Sequence, residues 1–501
     1  MNVDFCDVSI HSFENKEIIE KRISTILNNA DYISGNDNAR FEEQFAQYIG
    51  KKYCVGVANG TDAIEIAIDS LQLPIGTKIL VQGNSYIATA LAVLNQRNQY
   101  EMDLIDVDKN TNMIDIADLE KKAQNASLLL ITHLFGFMPN MDKIMEFCKQ
   151  NNIYIIEDCA QAHGATWNHQ KAGNFGILSC FSFYPTKNIG AFGDGGAILT
   201  NESHLYQWIK RRANMGSITK NNFEIIGRNS RLDTIQAVVL SEKLPLLDKN
   251  NQKRRQVAKI YNMLLQDVSD IKIVSCDNRC TPVYHLYVIR AKHRDHLQSY
   301  LKEHGITTLV HYPTCIGKTE AFSNSSFITP ICEELSNCIL SLPMYPNLIN
   351  ESKKILYVVQ HIKKFYGYVS HIVDNVFEIK ETLNIRGVLY AMNHIDTFHV
   401  NRIFYINEFQ ELEIPVERGN HCNYNTNELI LVLHGSIFIE LEDVAGNKVK
   451  KIIENGAQYY VPKNTWIRYY ILDKNTNIIV LCDTTFEEKI SITDYHIFKG
   501  M

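Results

Sequence analysis

The most informative run in the chain is residues 181–196, FSFYPTKNIGAFGDGG. It places one lysine, Lys187, among apolar and aromatic residues, next to a glycine-rich turn that lets the backbone come close to a ligand. A lysine in that setting loses part of the solvation of its ammonium group, so its amine is more easily freed as a nucleophile. Schiff-base chemistry on an aldehyde cofactor requires such an amine. The alternative is a surface lysine whose aliphatic stem covers apolar neighbours while its charge stays in water.

A carboxylate that could act with this lysine lies upstream, in residues 153–164, IYIIEDCAQAHG. The apolar run predicts a buried strand with Asp158 at its carboxyl end, which is the edge of an open α/β sheet where ligands bind. A carboxylate there can keep a pyridine nitrogen protonated, and together with a lysine amine it indicates pyridoxal 5′-phosphate. The alternative for Asp158 is the N-cap of a helix.

Two further turns are candidates for binding a phosphate. Residues 55–64, VGVANGTDAI, predict a strand, a glycine turn and the start of a helix capped by Thr61 or Asp62. The exposed N–H groups and positive end of such a helix attract a phosphate, although turns of this kind are common in α/β proteins. Residues 227–233, GRNSRLD, form a polar turn before a predicted helix over Thr234–Lys243, and its alternative interpretation is a plain capped helix start.

The order of patterns along the chain predicts three parts. From about residue 40 to 245 strand-like and helix-like segments alternate, as a mostly parallel sheet requires. Residues 246–365 indicate a smaller α+β unit, and beyond about residue 370 short alternating strands indicate a sandwich or barrel. We therefore predict domains over residues 1–245, 246–368 and 371–501.

Composition excludes several classes of function. A net charge of −6 over 501 residues argues against a broad basic surface for nucleic acid. The 12 cysteines are scattered without a framework, which is typical of reduced thiols in a cytoplasmic protein. The first residues carry no basic flank and no long apolar run, so we expect neither a secretory nor a membrane-spanning segment.

Along the chain these four segments are followed by HYP at residues 311–313, and jointly the five resemble the DegT/StrS-type nucleotide-sugar aminotransferases. The resemblance covers about residues 10–365. It implies the three-layer α/β fold of the fold-type I pyridoxal phosphate enzymes, with a small α+β subdomain. One difference is Gly317, which stands where many relatives carry a second histidine after the HYP motif.

The same resemblance implies roles for residues around the cofactor ring. Lys187 would form the Schiff base and then carry the proton between the two carbons that exchange the amine. Asp158 would form a salt bridge with the pyridine nitrogen, Gln161 would contact the ring hydroxyl, and Tyr86 would stack on the ring face.

It also implies how the cofactor phosphate is held. Gly60, Thr61 and Ser182 would bind it from the same subunit. Asn229 would reach it from the neighbouring subunit, which implies at least a homodimer with shared sites.

The last part of the chain resembles the cupins, which are all-β jelly-roll barrels. Metal-binding cupins carry an H-x-H motif followed by a glutamate, and a further histidine later in the chain. Here His421 and Glu428 match, whereas Asn423 and Ile467 occupy the other ligand positions. Because two ligands rarely hold a transition metal, we expect a metal-free barrel.

Within the cupins this part is most similar to the nucleotide-linked 3,4-ketoisomerases of deoxysugar pathways. The similarity lies in residues 386–387 (RG), 401–405 (NRIFY), 418–421 (RGNH) and 461–462 (VP), with Trp466. Such an enzyme moves a carbonyl by one carbon through an enediol, for which histidine is a suitable base. Asn423 cannot titrate, so one proton carrier is missing. Either His421 acts alone, or it is a structural residue of a silent barrel that binds sugar nucleotide or builds the oligomer.

We therefore expect an enzyme that aminates a nucleoside-diphosphate-linked keto-6-deoxyhexose with L-glutamate as the donor. Because a 3,4-ketoisomerase would feed an aminotransferase acting at C3, the favoured product is a dTDP-linked 3-amino-3,6-dideoxyhexose. The alternatives are amination at C4 beside a silent barrel, and a sensor or scaffold that has lost catalysis.

Overall fold

The chain divides into two compact units in the computed structural model. The first consists of Met1–Ala258 and Leu264–Asn347, and the second of Lys259–Met263 and Leu348–Met501. The structure describes residues 1–9, 13–95, 99–217, 219, 222–368, 401–407, 414–485, 489, 491–495 and 498, and the backbone alone of 379–384 and 387–392. The predicted domain start at residue 371 and Arg386 of the RG motif lie outside the described residues.

The first unit contains alternating strands and helices. Its strands are β1 (Tyr53–Val57), β2 (Lys78–Gln82), β3 (Glu101–Ile105), β4 (Ala126–Thr132), β5 (Tyr154–Asp158), β6 (Thr166–Trp167), β7 (Gln170–Lys171), β8 (Leu178–Ser182), β9 (Gly196–Thr200), β10 (Ile271–Ile273), β11 (Cys280–Thr281), β12 (Tyr287–Ala291) and β13 (Ile339–Leu342). The helices that begin in it are α1 (Lys16–Asn29), α2 (Asn36–Ile49), α3 (Gly60–Ser70), α4 (Ile87–Leu94), α5 (Ile116–Lys122), α6 (Met141–Gln150), α7 (Ser203–Ala213), α8 (Thr234–Lys243), α9 (Leu247–Leu265), α10 (Arg294–Glu303) and α11 (Pro330–Ser336).

A seven-stranded sheet forms the centre of this unit, in the order β1-β9-β8-β5-β4-β2-β3. Strands β3, β2, β4, β5 and β8 pair in parallel, and β9 runs antiparallel to both β8 and β1. The mostly parallel sheet predicted for residues 40–245 is therefore confirmed. The three-stranded sheet β10-β12-β13, which packs against α10, fits the predicted α+β character of the part that follows.

Helices cover both faces of the large sheet, which makes three layers. Leu129 and Ile131 of β4 face a core that includes residues of α2, α6 and α8. Leu128 and Leu130 face the opposite core, which includes residues of α3, α4 and α7. Because neighbouring residues of β4 are buried on opposite faces, the strand reads as an uninterrupted apolar run. This arrangement confirms the predicted three-layer α/β fold.

The second unit contains helix α12, a two-stranded sheet of β14 and β15, and two larger β-sheets with a shared core. Helix α12 spans Ser352–Phe365, and the strands are β14 (Ile379–Asn384), β15 (Gly387–Met392), β16 (Arg402–Ile406), β17 (Val416–Asn423), β18 (Glu428–His434), β19 (Ser436–Asp443), β20 (Lys448–Glu454), β21 (Gln458–Val461), β22 (Thr465–Ile471), β23 (Asn477–Cys482) and β24 (Ser491–Ile492). One of the larger sheets has the order β16-β23-β18-β21 and the other β20-β19-β22-β17-β24. Ile430 and Val480 of the first sheet and Ile439 and Ile467 of the second belong to one buried cluster. The predicted all-β fold is confirmed.

Candidate active site

Asp158 lies at the carboxyl edge of the large sheet, as the last residue of β5, and is only 4% exposed. Its Oδ2 accepts hydrogen bonds from Thr89 Oγ1 at 2.9 Å and from Thr132 Oγ1 at 3.4 Å. Its Oδ1 accepts the N–H of Ala160 at 3.1 Å. Residues 159–165 make turns and no helix, so the alternative of a helix N-cap is wrong. The carboxylate is instead a fixed negative charge at the edge where ligands of α/β sheets bind.

Lys187 lies in the loop after β8 and is partly buried. Burial lowers the pKa of its ammonium group to about 8, although the charge of nearby Asp158 acts to raise it. The structure therefore brings the two predicted residues into electrostatic contact and leaves a sizeable fraction of neutral amine near physiological pH. The interpretation of Lys187 as a solvated surface lysine does not fit this environment.

The loop that carries Lys187 is fixed by its neighbour Asn188. The Asn188 side chain donates to Asn251 Oδ1 at 2.8 Å and to the carbonyl of Val283 at 3.1 Å. Its Oδ1 lies 3.2 Å from Nδ1 of the buried residue His285. These contacts hold the lysine backbone in place, which orients its amine.

Gln161 and Tyr86 meet at Tyr312. Gln161 Oε1 accepts the N–H of Phe135 at 2.7 Å, and its Nε2 donates to the hydroxyl of Tyr312 at 3.0 Å. The ring of Tyr86 is 54% exposed and lies with its centroid 5.2 Å from that of Tyr312. Sequence reasoning assigned no role to Tyr312, and its only signal was the HYP motif.

The start of α3 meets Ser182 at the end of β8. Asn59 caps the helix, since its side chain accepts the N–H of Asp62 at 2.8 Å, so the predicted cap at Thr61 or Asp62 is wrong. A Cβ atom on Gly60 would lie 2.7 Å from Cβ of Ser182, and only glycine allows this close approach. Within the described part of the chain, no protein acceptor takes the N–H of Gly60 or Thr61. These amides and the hydroxyl of Ser182 suit a phosphate group.

Asn229 is exposed and lies in the segment between α7 and α8. Its neighbour Arg228 attaches this segment to α3, through ion pairs with Asp62 at 3.1 Å and with Glu65. The predicted contact of Asn229 with a phosphate of the neighbouring subunit remains a prediction.

A buried contact between Glu157 and His133, behind Asp158, was not predicted from the sequence. Glu157 Oε2 lies 2.8 Å from Nε2 of His133, and both side chains are fully buried. The carboxylate also accepts the N–H groups of Gly173, Phe175 and Gly176 at 2.7–2.8 Å. Burial acts to raise the pKa of Glu157, but His133 and these amides together hold it below the ordinary value. The end of β5 is thereby fixed beside Asp158.

The sheet, the lysine and the aspartate define a fold-type I enzyme that uses pyridoxal 5′-phosphate. Residues 14–363 match the DegT/DnrJ/EryC1/StrS aminotransferase family, and the chain belongs to this family. Residues 374–501 match a second family, described as WxcM-like, C-terminal. The chain is accordingly a nucleotide-sugar aminotransferase joined to a barrel of the predicted cupin type.

Known proteins and solved structures are similar to the aminotransferase part of the chain. The chain is 38% identical to the dTDP-3-amino-3,6-dideoxy-alpha-D-galactopyranose transaminase of Aneurinibacillus thermoaerophilus, over 73% of this chain and 100% of that protein. It is 32% identical to the dTDP-3-amino-3,4,6-trideoxy-alpha-D-glucose transaminase of Streptomyces venezuelae, over 72% and 96%. The crystal structure of S. venezuelae DesV in complex with a ketimine intermediate is similar with a TM-score of 0.70 and 32% identity, over 74% and 100%. The structure of NtdA from Bacillus subtilis with bound cofactor PMP has a TM-score of 0.67 and 27% identity, over 72% and 85%.

A second cluster of titratable residues lies inside the barrel. Glu428 is 5% exposed, and its Oε1 lies 3.4 Å from Nζ of Lys489. His421 presents a buried Nε2 that has no hydrogen-bond partner among the described residues. Burial and then the charge of Lys489 lower the pKa of His421, and Glu428 acts to raise it. The imidazole is therefore neutral, and able to accept a proton, near pH 7.

Asn423 and Ile467 occupy the positions where metal-binding cupins carry histidines. Asn423 is buried, and its Oδ1 accepts a hydrogen bond from Ser491 Oγ at 3.0 Å. Ile467 pairs across the strands with His421 and belongs to the apolar core. The only group of described residues with closely spaced metal-ligand atoms is His133, Glu157 and Cys159 in the first unit, where Glu157 is already saturated with donors.

Among the residues that the structure describes, no helix is both long and apolar enough to span a lipid bilayer.

Proposed function

We propose that the chain aminates a dTDP-linked keto-6-deoxyhexose at C3, with L-glutamate as amino donor, and that its barrel first moves the carbonyl from C4 to C3. The observation that carries this proposal is His421, which presents a buried Nε2 without a hydrogen-bond partner among the described residues, in a barrel joined to a nucleotide-sugar aminotransferase. A 3-ketosugar is the substrate that amination at C3 requires. An isomerase fused to the aminotransferase would supply it.

The residues of the first unit have distinct tasks in the amination. Pyridoxal 5′-phosphate, when bound, supplies an electron sink that stabilises negative charge on the carbon that loses a proton. Asp158 would keep a proton on the ring nitrogen, and Gln161 and Tyr86 would fix the plane of the ring. Lys187 would hold the cofactor through its amine and would carry the proton between the two carbons that exchange the amine.

The start of α3 would hold the cofactor phosphate. The N–H groups of Gly60 and Thr61 and the hydroxyl of Ser182 would donate hydrogen bonds to its oxygens. In our proposal Asn229 adds a donor from the second subunit of a homodimer. Two large apolar residues close to Asn229 in the sequence are exposed in the single chain, Phe223 at 63% and Ile226 at 67%. This exposure supports a second subunit that covers them.

Relatives support the position of amination and the nucleotide. The two transaminases compared above carry dTDP and a 3-amino group in their names. The barrel supports the preceding step, because His421 can remove the proton from C3 and return one to C4. During that step O4 gains a proton and O3 loses one, so the isomerisation needs no further reactant.

The experiment supplies the full-length holoenzyme with dTDP-4-keto-6-deoxyglucose and L-glutamate and determines the product by NMR. An amine at C3 is the expected result. Amine at C4 alone would reject the coupling with the barrel and favour the second candidate, an aminotransferase acting at C4 beside a silent barrel. The observation that favours this candidate is the loss of a titratable group at Asn423. No amine at either carbon would favour a scaffold that has lost catalysis.

A further inference from the structure

The barrel contains a lysine, Lys489, that does not belong to the cupin sequence motifs. Lys489 has a side chain that is 17% exposed, and its Nζ lies 3.4 Å from Oε1 of Glu428, whose side chain is 6% exposed. A glutamate is rarely buried unless it is paired, and holding a partly buried lysine against it costs desolvation that the fold has to offset. Apolar residues of similar volume would serve stability equally well, so the pair calls for a functional explanation.

The cluster also lacks one proton carrier. Asn423 cannot titrate, and its Oδ1 already accepts a hydrogen bond from Ser491. His421 can exchange protons at its buried Nε2, but a single imidazole must then serve both carbons and both oxygens of the sugar. An ammonium group close to the same carboxylate is chemically able to serve the oxygens.

We propose that Lys489 is a catalytic residue of the barrel, which gives a proton to one sugar oxygen and takes a proton from the other while His421 acts on the carbons. This inference rests on the isomerase part of the proposed function. Glu428 is then a positioning residue, because its carboxylate holds the ammonium group of Lys489.

With these roles every proton that a side chain takes or gives is returned by the end of the reaction. His421 removes the proton from C3 while Lys489 donates one to O4, which gives the enediol and a neutral amine. The amine then accepts the proton of O3, and His421 returns its proton to C4. The C4 carbonyl has become a C3 carbonyl, and both side chains have recovered their starting protonation states.

The surroundings of Lys489 favour this exchange. A lysine ammonium has three donor hydrogens, and the contact with Glu428 occupies one of them. The hydroxyl of Tyr469 and the thiol of Cys482 both face Glu428, and Arg418 and Arg402 lie next to them. Burial and then Glu428 raise the pKa of Tyr469 to about 12, so it stays protonated and does not compete as a base.

The test isolates the barrel reaction in the intact holoenzyme by omitting L-glutamate, because amination then has no amine to transfer. The substrate is dTDP-4-keto-6-deoxyglucose in D₂O, and NMR follows exchange of the C3 hydrogen and appearance of the 3-keto isomer. The variants are Lys489→Met and Lys489→Ala, and binding of the dTDP-sugar is measured in parallel by calorimetry. The matched control is Lys450→Met, which removes the lysine of a different ion pair of this barrel, a cross-strand pair in which Lys450 lies 3.1 Å from Glu440.

Lys489→Met is expected to slow exchange and isomerisation by roughly 100-fold, the size of one lost acid–base group, while sugar affinity changes less than about fivefold. Added methylamine should restore part of the rate in Lys489→Ala, and Lys450→Met should keep the wild-type rate. If the exchange rate of Lys489→Met stayed within about threefold of the wild-type rate, the assignment of Lys489 would be wrong, while the isomerase proposal would stand. A rate loss matched by an equal loss of affinity, or no rescue by the amine, would lead to the same conclusion. A wild-type enzyme without exchange would overturn the isomerase proposal and this inference with it.

Discussion

The protonation state of Lys187 decides whether its amine can attack an aldehyde. Burial lowers its pKa to about 8, and Asp158 opposes that shift. In enzyme stripped of its cofactor, labelling of Lys187 by an amine-directed reagent should therefore increase with pH and reach half its maximum near pH 8. We expect Asp158→Asn to move this midpoint to lower pH, because the negative charge that stabilises the ammonium form is gone.

Mass spectrometry of the labelled peptide measures the midpoint directly. Lys292 is an internal control, because its side chain is 65% exposed and pairs with Asp270 rather than with Asp158. Its midpoint should be the same in both proteins. A midpoint for Lys187 that does not change in Asp158→Asn would contradict the electrostatic contact between the two residues.

The buried pair of Glu157 and His133 makes a prediction about stability. Glu157→Gln leaves His133 without its charged partner and should lower the free energy of unfolding by about 3 kcal/mol. The folded-state pKa of Glu157 lies below its ordinary value, so its contribution is present above that ordinary value and is lost as pH falls. The difference between wild type and variant should therefore shrink as the pH is lowered through the ordinary range of a glutamate.

Urea unfolding at several pH values measures this difference. The control is Glu14→Gln, which breaks the exposed pair with Lys249 and should cost at most about 1 kcal/mol. Equal losses of unfolding free energy in the two variants would mean that the buried pair contributes no more to stability than the exposed pair does.

At the scale of elements, the first turn of α3 is the part of the site that depends on a helix cap. Asn59→Ala removes the acceptor for Asp62 N–H and should cost about 1 kcal/mol of stability. Because the turn then frays, the amides of Gly60 and Thr61 are no longer fixed, and the affinity for pyridoxal 5′-phosphate should fall several-fold. Cofactor titration followed by visible absorbance measures the affinity.

A second asparagine cap provides the control for this experiment. Asn140 caps α6, with its side chain accepting the N–H of Lys143 at 3.2 Å. Asn140→Ala should lose similar stability and leave cofactor affinity unchanged. If both variants lose the same affinity, the effect is general destabilisation and the assignment of α3 to the phosphate is wrong.

Some strands and helices were predictable from sequence patterns and others were not. Apolar runs and the alternation of strands with helices predicted the large sheet, and Thr234–Lys243 is α8 as expected. Strand β17 was not predicted, because its RGN run breaks the alternation and carries a bulge between Gly419 and His421. Strand β20 was missed since its charged sequence, KVKKIIE, resembles a solvated loop.

In the candidate site, motif residues were predictable and their supporting contacts were not. Lys187 and Asp158 occur in recognisable local patterns, and the structure brings them together. Tyr312 lies in the HYP motif and Glu157 lies beside Asp158, but their contacts with Gln161 and with His133 join residues distant in sequence, which no local pattern reveals. Lys489 pairs with Glu428 from a segment 61 positions away, and only the folded barrel shows the contact.

At the scale of the whole molecule, our proposal of shared sites predicts that two inactive variants can restore activity together. Lys187→Ala removes the amine of its own site, and Asn229→Asp places a carboxylate against the phosphate of the neighbouring site. If Asn229 serves the other subunit, a mixed dimer contains one intact site and one site with both defects. Random exchange of subunits should then recover roughly a quarter of the wild-type amination rate.

A control mixture combines two variants whose defects both lie in residues of the same subunit's site. It tests whether recovery of activity requires a site shared between subunits. Lys187 and Asp158 lie in one chain within electrostatic contact, so a mixed dimer of Lys187→Ala and Asp158→Asn has one defect in each site. This mixture should recover no activity, even though its subunits exchange equally well. Recovery in the Asn229 mixture alone would therefore require Asn229 to act across the subunit boundary. No recovery in either mixture, with exchange verified by mass spectrometry of tagged subunits, would restrict Asn229 to its own chain and remove the reason for a dimer in the amination.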